Sequence, residues 1–476
     1  MSTAITHPTP GKANSSAVPA HQAARMIEFF AGLSPGAIPR KAYDNAKGCL
    51  LDAIGCGLFG ASQPWSKIIA SQMFAEQSQG ASTVFGHGAP LAAPAAALCN
   101  GTAIHGFELD DLLPAALIHP GTVIIPAVLA AAESANAGGE ALLRAIIIGY
   151  EATARLSLAM GMQASNQGFH KTSVVGPVAS AIAAGCVLKL STPQLNHAAG
   201  IAASMSSGVK AYVEGGGMVK RMHAGWAASS GIRAALLARE GFTGPAGGVD
   251  GRYGLLDVFG GATAQTDQLT QKLGEQWAIN DVWFKVYPIC GWVQGVVQLL
   301  DDMRRNLQGA RPLAADQIKK VVVGTSRFAV NHNSNPKPTD TMEAQYSIPY
   351  CSALALTRDP GDPRAFDADG YTNPTLLAIA SRVATRVDDE CDAVYPKRFG
   401  SRVQLHLEGG VVKEALTLDP HGTPADPCSA AELTAKFSRL AALSPLQVDS
   451  AAISRTIHQL DGAGSMHDLS SLLRVA

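Results

Sequence analysis

The chain has 476 residues and a formal net charge of −1, so no general excess of positive charge is available for nucleic acid or an anionic membrane. Hydrophobic residues make up 47% of the chain and aromatic residues only 6%. This composition favours closely packed helices of Ala, Val, Ile and Leu over a β-sandwich.

The first half of the chain has helical patterning. Residues 1–20 are rich in Thr, Pro, Ser and Ala, which predicts a disordered tail and not a signal peptide. The most apolar stretch, residues 174–188, is too short to span a bilayer, so a soluble, cytoplasmic protein is expected. Apolar residues at helical spacing predict helices at residues 21–33, 41–60, 65–79, 91–105, 123–135, 140–156, 172–190, 194–205 and 225–239.

Alternating and β-branched patterns appear only in the second half. Residues 318–324 are strand-like, and residues 402–418 alternate as two strands around Gly409-Gly410. Helical patterns at residues 347–356 and 373–384 lie between these strands.

The change of pattern near Ile279 predicts a mainly α fold with two domains. We expect a large all-helical domain and a smaller α+β lid domain. The predicted boundaries are 1–20 for the tail, 21–275 for the helical domain, 276–425 for the lid, and 426–476 for C-terminal helices that pack back on the helical domain.

The eight cysteines are scattered and form no CxxC pair, so zinc ribbons and closely spaced iron–sulfur motifs are unsupported. Buried reduced thiols are the simpler interpretation. The sequence predicts no cofactor and no metal.

Residues 105–121 carry the densest set of ionisable groups. His105, Glu108, Asp110, Asp111 and His119 lie there between two apolar runs. Buried charges are costly unless they are paired, so the window is interpreted as a pocket wall between helices. A capped and solvated turn is the alternative.

Four other stretches carry candidate functional groups. His170 and Lys171 precede a helix N-terminus, where backbone N–H groups and the helix dipole favour an anion. The remaining three are a glycine-rich turn with Lys210, Lys220, Arg221 and His223, a segment with Lys285 and Tyr287, and residues 343–351. Several cations near glycines in a chain of net charge −1 indicate a receptor for a small di- or tricarboxylate.

Together these motifs resemble the MmgE/PrpD family of 2-methylcitrate dehydratases, cis-aconitate decarboxylases and an iminodisuccinate epimerase. The resemblance covers nearly the whole chain, and its best segments begin at Glu108, His119, Gly168, Lys220 and Lys285. It implies a helical domain capped by an α+β lid, a homodimer and metal-independent chemistry on a small polycarboxylate.

The resemblance also implies roles for individual residues. It places Asp110, His119, His170, Lys220 and Lys285 among the catalytic residues. The stretches around them add substrate-binding candidates, which are His105, Asp111, Lys171, Lys210, Arg221, His223 and Tyr287.

Three positions depart from the family pattern. Leu112 stands where members often have threonine, and Gln294 stands where many have histidine. Phe328, which has no hydroxyl group, lies near the place of the family's lid tyrosine. These departures put dehydration of methylcitrate itself in doubt.

The chemistry that the family shares is formation or discharge of a carbanion next to a carboxylate. Lys220 and Lys285 are expected to stabilise the resulting dianion. His170 is assigned as the base, His119 as the acid or opposite-face proton donor, and Asp110 as the group that fixes an imidazole tautomer.

Other functions remain open at this point. Dehydration, decarboxylation and epimerisation are not distinguished by the sequence. A metal-dependent hydrolase would use His105, Asp110, Asp111 and His119 as ligands. A non-catalytic carboxylate-binding protein is the third possibility.

Overall fold

A computed structural model describes residues 21–76, 78–309, 311–462 and 466–474. The tail predicted at residues 1–20 lies outside the described residues. The helices are α1 (Gln22–Gly32), α2 (Arg40–Gly60), α3 (Pro64–Ala75), α4 (Ala93–Ile104), α5 (Gly121–Ser134), α6 (Gly139–Met160), α7 (Gln163–Asn166), α8 (Lys171–Val187), α9 (Thr192–Ala203), α10 (Tyr212–Gly215), α11 (Val219–Arg239), α12 (Leu255–Gly260), α13 (Gly291–Gln308), α14 (Arg327–Asn333), α15 (Thr341–Tyr346), α16 (Ile348–Thr357), α17 (Ala368–Tyr371), α18 (Pro374–Ala380), α19 (Asp389–Val394), α20 (Ala430–Ala441), α21 (Ser450–His458) and α22 (His467–Leu473).

One four-stranded sheet accompanies these helices. Its strands are β1 (Ile318–Thr325), β2 (Val383–Val387), β3 (Ser401–Leu407) and β4 (Val412–Thr417), in the order β2-β1-β3-β4. β1 pairs with β2 in parallel and with β3 antiparallel, and β4 extends the sheet beyond β3. The predicted mainly α fold with a smaller α+β part is confirmed, whereas the domain boundaries stay a prediction.

The sheet contains one strand that the sequence pattern did not indicate. The helix predicted at 373–384 ends at Ala380, and Val383 already begins β2. β2 is only five residues long and owes its conformation to pairing with β1, about sixty residues earlier in the chain. Local periodicity does not report such distant pairing.

Close packing of α4 against α11 determines where the functional residues lie. A Cβ on Gly225 would come within 2.2 Å of the Leu98 carbonyl oxygen, and one on Gly101 within 2.6 Å of the Gly225 Cα. Glycine at both positions lets the two helices touch through their backbones. The loop after α4 and the first turns of α11 are therefore held side by side.

The C-terminal helix α20 packs against α2 through a buried ion pair. The ammonium group of Lys436 lies 2.6 Å from a carboxylate oxygen of Asp52. It also donates a hydrogen bond to the Leu109 carbonyl oxygen at 2.7 Å. One side chain thus connects α20, α2 and the loop that follows α4.

The eight cysteines are all free thiols, and six of them are buried. This agrees with the reduced thiols that the sequence predicts. In the part of the chain described here, none of the helices combines the length and the hydropathy needed to cross a bilayer.

Candidate active site

The loop of residues 105–120 joins α4 to α5 and forms one wall of the candidate site. Leu112 and Trp283 exchange two backbone hydrogen bonds of 2.9 and 2.8 Å, which fix the loop against the segment that carries Lys285. The side-chain amide of Gln345 donates to the Phe107 carbonyl oxygen at 2.8 Å. The loop is therefore held on both sides before any ligand arrives.

Glu108 is buried between two lysines. The ammonium group of Lys220 contacts one of its carboxylate oxygens, and that of Lys285 lies 3.1 Å from the other. Burial raises the pKa of Glu108, but the two ammonium groups outweigh burial and hold the pKa below its usual range. The sequence analysis noted Glu108 without assigning it a role, and the structure makes it the partner of both predicted catalytic lysines.

Asp110 holds two imidazoles. Its Oδ2 lies 3.0 Å from Nδ1 of His105 and 2.8 Å from Nδ1 of His119. Because the pKa of Asp110 is held well below its usual range by Lys285 and the two histidines, against burial, it stays a carboxylate that only accepts hydrogen bonds. The Nδ1–H of His105 donates to this carboxylate, whereas the Nδ1–H of His119 donates to the backbone carbonyl oxygen of Asp111 at 2.8 Å. His119 is left with Nε2 for other partners.

His105 lies behind the site and stays uncharged at neutral pH. Burial lowers its pKa to about 4, although Asp110 opposes the shift. Its ring stacks on that of His170, with centroids 5.6 Å apart.

His170 is the residue before α8, as predicted, and it pairs with a second histidine. Its Nδ1 lies 3.2 Å from Nδ1 of His223. Burial, and then the neighbouring His105 and Lys220, lower the pKa of His170 well below its ordinary value. The pair is therefore uncharged at neutral pH, with one ring donating to the other.

A cavity of about 560 Å³ opens in front of these groups. Four of the five predicted catalytic residues line it, although more than 160 residues separate the first from the last; they are His119, His170, Lys220 and Lys285. Lys171 and Lys210 line it as well, together with Glu108 and Tyr346. The structure thus brings these residues together, while the role of each stays a prediction.

Lys171 and Lys210 differ from the other two lysines. Among the residues that the structure describes, neither lies within ion-pair distance of a carboxylate. Lys171 donates to the Ala116 carbonyl oxygen at 3.2 Å, and Lys210 donates to the Ser165 hydroxyl at 2.8 Å. Burial, followed by the charge of Lys210, lowers the pKa of Lys171 to about 8. The uncompensated positive charge of the cavity lies at this pair.

Three of the predicted substrate-binding residues are engaged elsewhere. The Arg221 guanidinium packs on Trp65 at 4.2 Å. Asp111 accepts hydrogen bonds from the Tyr150 hydroxyl at 2.6 Å and the Gly121 N–H at 2.9 Å. None of the three predicted residues Tyr287, Arg221 and Asp111 lines the cavity. The cavity also excludes His105, His223 and Asp110, which contact cavity-lining histidines from behind.

The glycine-rich turn predicted to carry the cations is instead partly helical. Lys220, Arg221 and His223 belong to α11, which begins at Val219 and not at the predicted Gly225. Glycine in the middle of a helix is usually unfavourable. The contact of Gly225 with α4 explains why glycine is retained inside α11.

The three departures from the family pattern occupy different places. Leu112 and Phe328 line the cavity. Gln294 is buried outside it, where its amide donates to the carbonyl oxygens of Tyr287 and Ile289 at 2.8 and 3.0 Å. The hydroxyl of Tyr346, which the sequence analysis did not single out, accepts a hydrogen bond from Lys220 at 2.9 Å.

His105, Asp110 and His119 form a cluster whose ligand atoms lie within 4.8 Å of one another, close enough for a metal ion. The fourth ligand predicted for a hydrolase, Asp111, is not part of it. In the cluster as it stands, the Nδ1–H of His105 donates to Asp110 and the Nδ1–H of His119 donates to the Asp111 carbonyl oxygen. The Lys285 ammonium lies 3.9 Å from the other oxygen of the Asp110 carboxylate. The positive charge of Lys285 beside Asp110 disfavours binding of a metal ion to this cluster.

Two family domains match the chain. The MmgE/PrpD N-terminal domain matches residues 24–267, and the MmgE/PrpD C-terminal domain matches residues 287–461. The chain therefore belongs to the MmgE/PrpD family, as its motifs predict.

Its curated relatives are similar over most of their length. A cis-aconitate decarboxylase-like protein of Aspergillus oryzae is 29% identical, over 94% of this chain and 96% of that protein. The cis-aconitate decarboxylase of Aspergillus terreus is 29% identical, over 81% of this chain and 82% of that protein. The cis-aconitate decarboxylase of Homo sapiens is 30% identical, over 75% and 76%.

The Glu108 contact leads to a prediction for Lys220. The sequence alone predicts that Lys220→Met lowers activity without loss of stability. Because Glu108 would then lose one of its two partners inside the protein, we expect the melting temperature to fall as well. Activity should fall at least tenfold in kcat/KM, which corresponds to about 1.4 kcal/mol.

The double variant Lys220→Met/Glu108→Gln separates the two effects. The double variant also removes the charge of Glu108, which has lost one of its two lysine partners. Thermal melting should therefore show partial recovery of stability, while kcat/KM stays low. If Lys220→Met has the same melting temperature as the wild type, the contact between Lys220 and Glu108 does not contribute to stability.

Asp111 leads to a pH prediction. Burial raises its pKa from 3.8 to about 7, so the folded protein binds this proton more tightly than the unfolded chain does. The free energy of unfolding should therefore fall as pH rises from about 4 to about 7, by roughly 1.4 kcal/mol per unit at most. Asp111→Asn should remove that slope in denaturant titrations.

The matched control for Asp111 is Asp369→Asn, at an exposed aspartate in α17. Its stability difference from the wild type should vary far less with pH. A difference between wild type and Asp111→Asn that is constant from pH 4 to 7 would contradict the raised pKa.

Proposed function

We propose that the protein is a lyase that acts on a small polycarboxylate through a carbanion next to a carboxylate group. One observation carries the proposal: the free Nε2 of His119 and the two lysines without carboxylate partners belong to the same cavity. The names of the relatives make decarboxylation the first reaction to test. Dehydration and epimerisation use the same intermediate and are the alternatives.

Lys171 and Lys210 are the proposed binding site for the substrate carboxylates. A charge-assisted hydrogen bond contributes about 1.5–3 kcal/mol when both partners leave water. Lys171 also begins α8, whose first N–H groups favour an anion. Lys220 and Lys285 are less suited to initial binding because Glu108 already neutralises part of their charge.

His119 is the proposed proton donor, which is the role assigned to it from sequence, whereas His170 is poorly suited to the role of base that the sequence analysis gave it. The His170 ring is buried and lies in the field of Lys220, and its low pKa makes it a weak base. The His119 ring is partly exposed to the cavity. Its Nδ1–H donates to the Asp111 carbonyl oxygen beside the Asp110 carboxylate, which fixes the tautomer and directs Nε2 to other partners.

The proposed reaction needs one proton. In decarboxylation the bond between a carboxyl carbon and its neighbour breaks, and carbon dioxide leaves. The electron pair remains on the neighbouring carbon and is shared with an adjacent carboxylate until Nε2 of protonated His119 donates a proton. Lys220 and Lys285, with the Tyr346 hydroxyl, supply fixed positive charge and a donor near the developing dianion.

The metal-dependent hydrolase is less well supported. The possible ligands His105, Asp110 and His119 are hydrogen-bonded to one another, and Lys285 neighbours their carboxylate. A non-catalytic carboxylate-binding protein would not need a histidine whose orientation is fixed and whose Nε2 remains available in the cavity. The free thiols agree with a cytoplasmic location, which we also propose.

A substrate screen with a His119 variant tests the function. The purified protein is incubated in deuterated water and a chelator with cis-aconitate, 2-methylcitrate, citrate and iminodisuccinate, and product and deuterium incorporation are followed by NMR. On the substrate found, His119→Gln should lower kcat/KM about a hundredfold or more.

His458→Gln is the matched control, because His458 is exposed in α21, and it should retain wild-type activity. Wild-type kcat/KM in His119→Gln would exclude the proposed proton transfer. Loss of all turnover on adding the chelator would favour the metal-dependent alternative.

We further propose that the protein is a homodimer, as the family implies. α11 exposes Val219, Trp226 and Leu237 along one face, with Trp226 48% exposed. Exposed apolar faces of this kind are buried in symmetric assemblies. Light scattering at micromolar concentration should give twice the chain mass of 49.3 kDa. Trp226→Glu should lower the measured mass. The control Ile68→Glu, at an exposed position of α3, should leave the mass unchanged. A wild-type monomer mass would refute the dimer.

A further inference from the structure

The cavity has two chemically opposite walls. The charged wall consists of the lysines, histidines and Glu108 described above. The other wall, called here the apolar wall, is formed by Leu112, Leu117, Trp292, Phe328, Tyr395 and Phe399. His332 lies at its edge, where its ring stacks on that of Phe328 with centroids 4.2 Å apart.

The apolar wall is built on a small hydrophobic cluster that is distinct from the main core, although Trp292 packs against both. Leu112 and Phe399 form a small buried cluster with Trp283, and Leu117, Trp292 and Tyr395 pack against it. The rings continue outward, since Phe328 lies 4.8 Å from Trp292 by ring centroids and 5.6 Å from Tyr395. The wall is thus a continuous surface assembled from the loop after α4, from α13 and α14, and from residues 395–399.

Leu117 is held in an unusual conformation on this surface. Its φ of 52° and ψ of 52° lie in the left-handed region, where a leucine Cβ is crowded by the backbone. Glycine or asparagine would be accommodated there more easily. Strained residues persist mainly where function uses them, and here the strain leaves a half-buried leucine on the wall of the cavity.

The cavity is also larger than a plain tricarboxylate requires. An unsaturated six-carbon tricarboxylate has about twelve non-hydrogen atoms, which would fill about 360 Å³ even if each took the full liquid volume of a water molecule. The cavity measures about 560 Å³. A carboxylate placed against the apolar wall would lose hydration without gaining a partner.

We propose that the physiological substrate is a polycarboxylate that carries an alkyl or aryl substituent larger than methyl, which lies against the apolar wall while the carboxylates face Lys171 and Lys210. The polycarboxylate part of this substrate rests on the proposed function, whereas the substituent is inferred from the apolar wall. It makes the residues of the apolar wall specificity determinants and explains why Leu112 and Phe328 stand where the family pattern has hydroxyl groups.

A homologous series of substrates tests this specificity. cis-Aconitate is compared with analogues in which one hydrogen is replaced by methyl, butyl or hexyl, and kcat/KM is measured for each. Burial of each methylene should raise kcat/KM about fourfold, and the butyl analogue should exceed cis-aconitate by about a hundredfold.

Binding is measured separately from turnover. Calorimetric titration with tricarballylate and its butyl derivative, which lack the double bond, should give a lower Kd for the butyl compound by a similar factor. The heat capacity change should also be more negative for that compound. This arm tests the substituent even if the reaction class is wrong.

Leu117→Asn tests the wall itself. Asparagine adopts the left-handed conformation readily, so folding should be retained while the apolar contact is lost. The preference for butyl over hydrogen should fall about tenfold in both kcat/KM and Kd. Leu307→Asn, at an exposed leucine near the end of α13, should leave that preference unchanged.

The outcomes distinguish the two proposals. Turnover and binding that do not improve from hydrogen to butyl would overturn the proposed substituent and leave the lyase function intact. Tighter binding of the butyl compound, without turnover of any acid, would support the substituent and overturn the lyase. An unchanged preference in folded Leu117→Asn would remove the apolar wall as its cause.

Discussion

The carboxylate of Glu108 is buried between the ammonium groups of Lys220 and Lys285, and the other parts of the site are arranged around this contact. A buried carboxylate without partners would cost several kcal/mol, so the fold must bring both lysines to it. Because each of the three residues comes from a different segment, their contact fixes the loop after α4, the start of α11 and the segment before α13 relative to one another. Positive charge is then in place before a substrate enters, as electrostatic stabilisation requires.

This contact also divides the lysines of the cavity into two groups. Lys220 and Lys285 are held rigidly by a neighbouring anion, whereas Lys171 and Lys210 have only neutral oxygen partners within the part of the chain that the structure describes. A substrate carboxylate gains most where a positive charge is still uncompensated. Under the proposed function, Lys171 and Lys210 would therefore bind the substrate while Lys220 and Lys285 would supply a preset field, a distinction that residue type alone does not make.

Much of the fold could be predicted from the sequence because the helices are long and apolar and because three of the four strands have a pattern of their own. β2 was missed because its pairing with β1 is distant in sequence, and the start of α11 was misplaced because a packing glycine resembles a helix boundary. For the site, the convergence of His119, His170, Lys220 and Lys285 followed from a resemblance in motifs. Glu108 as a shared partner and Arg221 as a packing residue depend on side-chain directions, which spacing does not determine.

Lys436, in α20 near the end of the chain, contacts the loop that carries Glu108 and Asp110. Its ammonium group holds the carbonyl oxygen of Leu109, which lies between Glu108 and Asp110, and α20 supplies this contact from 327 residues further along the chain. A chain still being synthesised has the acidic loop long before it has α20. Until α20 has left the ribosome, the loop has its contacts with Trp283 and Gln345 but lacks the one from Lys436. The last contact that holds the candidate site is therefore made only when the chain is nearly complete.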